Sequence, residues 1–218
     1  MTTSVDATAR PATQRLREET RDLHTAAEKG PYQAAMVMGR LPRAGYVAML
    51  EQMLLVHRAL EAGLERARAG SPAIARVVTR EQYQEPYLLE DLAYFGIDPD
   101  AIEATGATRA LVEEIERASN DPLTLLGMHY VLEGSNNGNR FIAKALMKAY
   151  DLTPPDGLCY MLPYGERQPE VWSAFKTNLD ACGLGDEEVT TLVRAAEAMY
   201  RGIIAIHASL QERMAERV

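Results

Sequence analysis

Apolar residues recur three and four positions apart along residues 43–68, and this spacing constrains the fold more than any other feature of the sequence. The recurring residues are Tyr46, Met49, Leu50, Met53, Leu54, His57, Leu60 and Leu64. Such a stripe is typical of an amphipathic helix, and we predict one over Arg43–Arg68. Apolar and polar residues nowhere alternate for more than a few positions, as a half-buried strand requires. The sequence therefore predicts an all-α fold, a single domain of roughly seven to nine helices.

Glycine and proline mark the breaks between the other predicted helices. We predict helices over Pro11–Glu28, Tyr32–Met38, Tyr87–Phe95, Leu111–Ser119, Val171–Cys182 and Asp186–Arg217, and a short helix or extended piece over Ile74–Val78. Residues 152–168 contain three prolines and two glycines, which indicates an ordered loop. Residues 1–10 are rich in Thr, Ser and Ala and are predicted to be a disordered tail, so that the domain spans residues 11–218.

The stretch Val131–Lys144 has the lowest helix propensity of a segment whose other residues predict a buried helix. Asp121-Pro122 supplies an N-cap and a first-turn proline, and strong helix formers resume at Phe141–Tyr150. Between them stand Gly-Ser-Asn-Asn-Gly-Asn, and each of these residues costs roughly 0.5–1 kcal/mol against alanine in a helix interior. Several kcal/mol must therefore be offset if this stretch is helical.

Two interpretations of this stretch stay open on spacing alone. Asn-Gly is a strong turn dipeptide, so the stretch could be a turn between two helices. Alternatively, the helix continues with a kink, and Gly134 and Gly138, four residues apart, share one face. Because glycine has no Cβ, a flat ligand could then lie against the backbone.

Composition and charge narrow the classes of function. The 218 residues carry a formal net charge of −8, which argues against a nucleic-acid partner and limits attraction to an anionic membrane. The two cysteines form no CxxC pair, which fits a reducing compartment without a disulfide framework. No secretory signal or membrane-spanning run is visible. We therefore expect a cytoplasmic location and no membrane association.

Among the four histidines, His24 has the most distinctive surroundings. Arg17, Arg21 and His24 stand at positions i, i+4 and i+7, which places them on one helix face about 10 Å long. An imidazole is a ligand of haem iron, and two guanidiniums can pair with carboxylates. The alternative is a solvated charged face with a histidine near the helix end. His57 and His129 are interpreted as buried, hydrogen-bonded core residues.

Residues 16–28, Leu-Arg-Glu-Glu-Thr-Arg-Asp-Leu-His-Thr-Ala-Ala-Glu, resemble the proximal helix of haem oxygenases, in which Leu-[Lys/Arg]-x-x-Thr-[Lys/Arg]-x-[Val/Leu]-His-x-x-x-Glu carries the axial histidine. Ala59–Glu61 with Leu64–Arg66, and Leu89–Ala93, are similar to two further blocks of that family. Tyr130–Ser135 resembles the distal helix of its bacterial subgroup associated with bacteriophytochromes.

This resemblance implies a fold, a cofactor and a reaction. The fold would be a haem-oxygenase-like helical bundle with haem b, both substrate and cofactor, between the proximal helix and a kinked distal helix. The reaction would be oxidative cleavage of haem by O2 to biliverdin, CO and Fe²⁺. A ferredoxin or a flavin reductase would supply the electrons. The kinked interpretation of Val131–Lys144 is thereby favoured.

The resemblance also implies roles for individual residues. His24 would be the metal ligand, Arg17 and Arg21 would contact the propionates or the rim, and Glu28 would support the proximal helix. Tyr130, Phe175 and Lys176 would be further haem contacts, and Gly134, Ser135, Asn137, Gly138 and Asn139 would form the distal, catalytic wall. The family usually has two adjacent glycines and often a Gly-Asp there, whereas this chain has Gly134-Ser135 at the Asp position and Asn137 or Asn139 at one glycine. An asparagine there would either crowd a ligand on the iron or donate a hydrogen bond to it.

Three hypotheses follow. The first is a haem oxygenase with His24 as axial ligand. The second is a non-catalytic haem-binding or haem-carrying protein on the same fold, which loss of the distal glycine pair would favour. The third is a relative without haem, similar to thiaminases or cofactor-synthesis proteins, which His24 and its two arginines disfavour.

Overall fold

The computed structural model describes residues 10–216, which form a single all-α domain without strands in that range. Its helices are α1 (Ala12–Glu19), α2 (Arg21–Lys29), α3 (Pro31–Val37), α4 (Arg43–Arg68), α5 (Pro72–Val77), α6 (Glu85–Tyr94), α7 (Gly106–Arg117), α8 (Pro122–Tyr150), α9 (Gln168–Asp180) and α10 (Asp186–Ala215). Short 3₁₀ segments and turns join them. The predicted all-α class is confirmed, although the chain has more helices than the sequence indicated.

The helix α4 has the bounds that the periodicity predicted, Arg43–Arg68. Its apolar stripe is buried, with Tyr46, Leu50 and Leu54 fully inaccessible to solvent. His57 lies on the same stripe and is buried and hydrogen-bonded, as predicted. Local periodicity decided this helix because one face is apolar over its whole length.

The longest helices, α8 and α10, pack against each other more extensively than any other pair. They approach most closely at Gly127, where an added Cβ would collide with the carbonyl oxygen of Leu192 and lie 2.8 Å from the Cβ of Ala195. Glycine is required there because the two backbones are nearly in contact. Most of the other helices pack against one or both members of this pair, whereas α6 packs against α4.

The predicted first helix is divided in two at Thr20, so the prediction of one helix over Pro11–Glu28 is wrong. The Thr20 backbone departs from helical values (φ −96°, ψ 2°), and its hydroxyl donates to the carbonyl of Leu16 at 2.7 Å. Threonine hydroxyls bonded in this way compete with the helical pattern. The two helices stay nearly continuous, since the amide of His24 still donates to the carbonyl of Thr20 at 2.9 Å.

The stretch Val131–Lys144 lies inside an unbroken α-helix, which rules out the interpretation as a turn. The helix begins as predicted, because the Asp121 carboxylate accepts from the amides of Leu123 and Thr124 at 3.1 and 3.2 Å. Within the weak stretch, Asn136 and Asn139 point into the core and are buried. Tertiary packing thus offsets the low helix propensity, and a kink at this point stays a prediction.

The other helix ends differ from the predicted ones by a few residues, as expected for frayed or capped ends. The segment 72–77 is helical rather than extended, and a serine cap explains this, since Ser71 Oγ accepts from the amide of Ile74 at 3.3 Å. The final helix ends at Ala215, and Arg217, the predicted end, lies outside the described residues, as do residues 1–9 of the predicted tail. No helix within residues 10–216 is long and apolar enough to cross a membrane.

Candidate functional site

A cleft opens between α2 and α8 and contains two adjoining cavities. The outer cavity has a volume of about 820 Å³ and the inner one of about 360 Å³. His24 and Tyr200 line both cavities on one side, and Gly134 and Asn137 line both on the other. The cleft is therefore bounded by the helix with the predicted iron ligand and by the face with the predicted glycines.

The outer cavity is lined by cations and aromatic rings. Arg17, Arg21 and Lys176 all contribute to its wall, and none of them forms an ion pair with any acidic side chain in residues 10–216. The Lys176 ammonium lies 5.6 Å from the centre of the Trp172 ring, a cation–π distance. Arg17 and Arg21 remain on one cavity wall although the helix is interrupted between them. This wall attracts an anionic, partly apolar ligand.

Glu18, which adjoins Arg17 in the sequence, also lines the outer cavity. Its carboxylate accepts from Arg10 at 3.2 Å and from Gln14 at 2.9 Å. These partners leave the positive charge of Arg17 and Arg21 largely uncompensated.

The inner cavity is mainly apolar. Its apolar lining residues are Met36, Met49, Met53, Val131, Leu132, Ile142, Met161 and Ile203. Tyr160, His207 and Asn139 are among its polar members. Burial lowers the pKa of His207 to about 4, so this imidazole is neutral at pH 7 and adds no charge. The cleft thus changes from a cationic mouth to a mainly apolar, methionine-rich interior.

His24 is held loosely at the junction of the two cavities. Its side chain is 53% exposed, and Nε2 lies 3.7 Å from Glu28 Oε1, too far for a hydrogen bond. The ring contacts Tyr200 edge to face, with centroids 5.9 Å apart. No residue of α2 is fully buried. The imidazole is therefore available to a ligand in the cleft, and the Glu28 carboxylate lies beside it.

The opposite wall is the face of α8 that carries the two glycines. A Cβ at Gly134 would lie 3.3 Å from the Trp172 ring, whereas a Cβ at Gly138 would meet no atom within 4 Å. Ser135 Oγ donates to the carbonyl of Leu132 at 2.7 Å, and Asn137 Nδ2 donates to the carbonyl of Gly134 at 2.9 Å. These bonds fold the polar side chains back onto the helix. The surface beside Gly138 is therefore open backbone.

A buried polar chain runs behind this wall. Asn139 Nδ2 donates to Asn136 Oδ1 at 3.3 Å, and Asn136 Nδ2 donates to Glu133 Oε2 at 3.4 Å. The Tyr164 hydroxyl donates to the same carboxylate oxygen at 2.8 Å. Burial raises the pKa of Glu133 to about 7, although both donors oppose the shift. Asn139 is the end of this chain that reaches the inner cavity.

The structure brings most of the predicted site residues together in the cleft. The lining residues among them are Arg17, Arg21, His24, Glu28, Tyr130, Gly134, Ser135, Asn137, Gly138, Asn139 and Lys176. Phe175 does not line either cavity, which corrects its prediction as a contact. It is buried and stacks on Trp172 at 5.4 Å, so it supports the wall from behind. Phe175 and Lys176 are consecutive residues of α9 and therefore point in different directions. Only the packing of α9 decides which of the two faces the cleft.

Trp172 and Tyr200 are among the cleft residues that sequence reasoning missed. Trp172 stands four residues before Lys176, so its place on the same face of α9 was available from the spacing. Tyr200 belongs to the inward stripe of α10 and gave no signal of its own. Its role at the cleft depends on α10 packing beside α2.

These features fit haem, the group that the resemblance implies. Three uncompensated cations suit its carboxylates, the open backbone at Gly138 suits a flat ring, and the accessible imidazole of His24 suits its iron. The mainly apolar interior suits the apolar edge of a porphyrin. The residues that are present therefore match the group in charge, shape and donor chemistry.

Comparison with known proteins decides the family. Residues 10–207 match the family model described as Heme oxygenase. The chain belongs to the haem oxygenase family. Human heme oxygenase 1 is 26% identical over 151 residues, which cover 66% of this chain and 52% of the human protein, and the bovine protein is 24% identical over the same length. This family member thus spans about half the length of those two relatives.

Solved structures of bacterial proteins share the fold. Heme oxygenase from Leptospira interrogans has a TM-score of 0.85 at 24% identity, covering 91% of this chain and 99% of the other. Heme oxygenase-2 from Synechocystis sp. PCC 6803, solved with haem and NO, has a TM-score of 0.88 at 20% identity, covering 96% and 88%. At these identities the structural likeness establishes the haem-oxygenase-like fold alone.

Proposed function

We propose that this chain is a haem oxygenase that binds haem b in the cleft and cleaves it oxidatively to biliverdin, CO and Fe²⁺. The proposal rests on one observation: His24 and three cations line one cleft whose opposite wall is open backbone at Gly138. The cations are Arg17, Arg21 and Lys176, and none of them has an ion-pair partner within residues 10–216. Family membership supports the same conclusion. The cleft would bind its substrate by charge at the mouth and by apolar contact inside.

Each wall of the cleft has a distinct binding task. His24 would be the axial ligand, with Glu28 next to its ring and supporting α2. Arg17, Arg21 and Lys176 would pair with the propionates, because guanidinium and ammonium groups bind carboxylates through charge-assisted hydrogen bonds. Tyr130 and Trp172 would border the ring, while Phe175 supports them from the core.

When bound, haem supplies the iron that activates dioxygen and is itself the molecule that is opened. The residues of α8 would control the side of the cleft where this occurs. Gly134 and Gly138 leave space beside the helix, and Ser135 and Asn137 keep their polar groups close to the backbone. Asn139 donates one hydrogen bond to Asn136, and the rest of its side-chain amide would be available for hydrogen bonds in the inner cavity.

The reaction needs O2 and electrons from outside the chain, and we propose a ferredoxin or a flavin reductase as donor in a cytoplasmic setting. An acidic donor surface would be attracted to the cationic mouth around Arg17 and Arg21. No nucleic-acid or membrane partner is proposed.

Titration of the purified chain with hemin, followed by ascorbate or a reductase under oxygen, tests the proposal. We expect a Soret complex that decays as a biliverdin spectrum appears. Absence of a Soret complex would refute haem binding. A stable complex that never yields biliverdin would instead support the non-catalytic haem-binding protein.

The axial assignment is tested separately with His24→Ala, and Asp22→Ala serves as its matched control. Both residues are exposed on α2, but Asp22 lines neither cavity. We expect His24→Ala to change the ligand-dependent Soret position and abolish turnover, with the apo protein as stable as the control. An unchanged spectrum would show that another residue binds the iron.

A further inference from the structure

His207 is a half-buried histidine of the cleft that the binding scheme above does not use. Neither of its ring nitrogens has a hydrogen-bond partner within residues 10–216. The buried histidines His57 and His129, by contrast, each contact a polar side chain at hydrogen-bond distance. The hydrogen-bonding capacity of the His207 ring is therefore free for a molecule that enters the cleft.

The helix α10 places His207 at the end of the cleft farthest from its mouth. Tyr200, Ile203 and His207 stand at positions i, i+3 and i+7, so they share one helix face, and all three line the inner cavity. Tyr200 also lines the outer cavity and contacts the ring of His24, whereas His207 does not line the outer cavity. At 1.5 Å per residue, His207 lies about 10 Å farther along the helix than Tyr200. His207 therefore faces the edge of a bound ligand that points away from the cationic mouth.

Stacking on Tyr32 holds the imidazole of His207 in place. The two rings are nearly parallel, with centroids 5.1 Å apart and 22° between their planes. Tyr32 is buried, and its hydroxyl donates to the carbonyl of Gly45 at 2.6 Å. His207 also borders a side cavity of about 260 Å³, where it forms no hydrogen bond with the other lining residues Gln211 and Glu212. Because stacking uses the face of the imidazole, the nitrogens on its edge stay available.

The hydrogen-bonding groups of His207 match the product of haem cleavage better than they match haem. Burial lowers the pKa of His207 to about 4, so at pH 7 the ring is neutral and carries one N–H and one lone pair. Haem with its propionates at the mouth would turn methyl, vinyl and C–H groups toward His207, and none of these forms an ordinary hydrogen bond. Opening the macrocycle creates two lactam rings, each with a carbonyl oxygen and an N–H. An imidazole at this edge thus gains a partner only in the product.

We propose that His207 binds the product, by donating its N–H to a lactam carbonyl oxygen of biliverdin at the inner end of the cleft. The inference rests on the proposed function, and it requires the macrocycle to open at the edge opposite the propionates, where the lactams lie beside His207. Haem offers this residue no such bond, so His207 distinguishes product from substrate. A site built to hydrogen-bond one ligand discriminates against an analogue that lacks the bonding group.

The test compares two ligands, hemin and the biliverdin isomer that is opened opposite the propionates, each titrated into the full apo chain. His207→Phe keeps a flat ring for stacking on Tyr32 but removes the N–H. We expect it to weaken biliverdin binding about fivefold to tenfold, the effect of losing one hydrogen bond, and to change hemin affinity by less than about twofold. His207→Gln, which retains an N–H donor, should restore most of the biliverdin affinity.

Ile203→Val is the matched control, because Ile203 lies one turn away on the same wall and its side chain has no hydrogen-bonding atoms. We expect it to change the affinities for hemin and biliverdin by the same factor. If His207→Phe also changes both affinities equally, His207 contributes only packing and the proposal is refuted. An unchanged affinity of His207→Phe for biliverdin would refute it as well.

Histidine side-chain ¹⁵N NMR of the wild-type chain checks the contact without any substitution. Added biliverdin should shift the ring-nitrogen resonances of His207 far more than those of His129, which is buried and lines neither cavity. A biliverdin complex with unchanged His207 resonances would overturn the proposal.

The same titrations separate this inference from the proposed function. A chain that binds biliverdin through His207 but forms no hemin complex would refute the proposed function alone. A chain that cleaves hemin but has no affinity for added biliverdin would refute the role of His207 alone. Failure to bind either ligand would refute both.

Discussion

Gly127 and Gly138 lie on the same helix, but their surroundings are opposite. A Cβ at Gly127 would collide with the backbone of α10, whereas a Cβ at Gly138 would meet nothing within 4 Å. The first glycine allows two helices to touch, and the second leaves a helix face open to the cleft. Neighbouring structure, rather than the glycine itself, decides which purpose each position serves.

The difference extends to the halves of α8 around these glycines. The first half is buried on nearly every side, including Leu125, Leu126 and Met128. In the second half Gly138 faces the cleft, Asn136 is buried behind that wall, and Asn139, also buried, reaches the inner cavity. Packing of the first half against α10 therefore supports a second half whose residues favour helix poorly. Four substitutions test this contrast.

Gly127→Ala should have the largest effect. We expect a loss of about 3 kcal/mol in the free energy of unfolding, because the added methyl group meets backbone atoms of α10 that cannot rotate away. Urea unfolding followed by circular dichroism measures it. A loss below about 0.5 kcal/mol, the size of an ordinary surface substitution, would show that the two helices are not in close contact.

Glu133→Gln tests the buried side of α8 through the pH dependence of the free energy of unfolding. Because burial raises the pKa of Glu133 in the folded state to about 7, from an ordinary value of 4.5, the folded state binds the proton more tightly. Its contribution to stability is full below pH 4.5 and is lost as the pH rises through about 7. Between about pH 5 and pH 8 we expect the wild type to lose about 2 kcal/mol more stability than the variant does.

Unfolding in urea at the two pH values provides the measurement. A smaller slope of the same sign should remain in Glu133→Gln, since burial also raises the pKa of Asp91, to about 6. Equal slopes in the two proteins would show that the Glu133 carboxyl titrates normally.

Gly138→Ala tests the open side. We expect hemin affinity to fall about tenfold, roughly 1.4 kcal/mol, because the methyl group would occupy space beside the helix. The apo protein should become slightly more stable, by about 0.5–1 kcal/mol, since alanine favours helix over glycine. Hemin titration and thermal unfolding give the two numbers. Destabilisation of the apo protein would mean that this face is closed like that of Gly127.

Lys176→Met should have the smallest effect. Methionine keeps the apolar contact with Trp172 but removes a partly exposed cation from the mouth. We expect hemin affinity to fall by about two- to threefold at low ionic strength and the difference to vanish in about 1 M salt. Lys148→Met, on the exposed face of α8 away from both cavities, is the matched control. Equal effects of the two variants would exclude a specific role for Lys176.

Much of the fold and part of the site were predictable from short-range patterns. The periodicity of apolar residues gave the bounds of α4, and Asp121-Pro122 gave the start of α8. The spacing of Arg17, Arg21 and His24 placed all three on one wall of the cleft. In each case residues within two or three helical turns share a face, so the sequence contains the geometry.

Other features followed only from contacts between distant parts of the chain. Local propensity allowed a turn at Gly134–Asn139, but the helix is continuous there, and Asn136 and Asn139 are buried. Phe175 and Trp172 belong to the same helix, and only the neighbouring helices decide that the first is buried and the second borders the cleft.

The sequence by itself thus determined the all-α class, the placement of Arg17, Arg21 and His24 on one wall of the cleft, and the positive charge at its mouth. Tertiary structure alone decided the open space beside Gly138 and the contact of His57 with Tyr160, two residues 103 positions apart. Local patterns record which residues share a face of one element. Which faces meet, and which stay apart to leave a cavity, depends on how the whole set of helices packs.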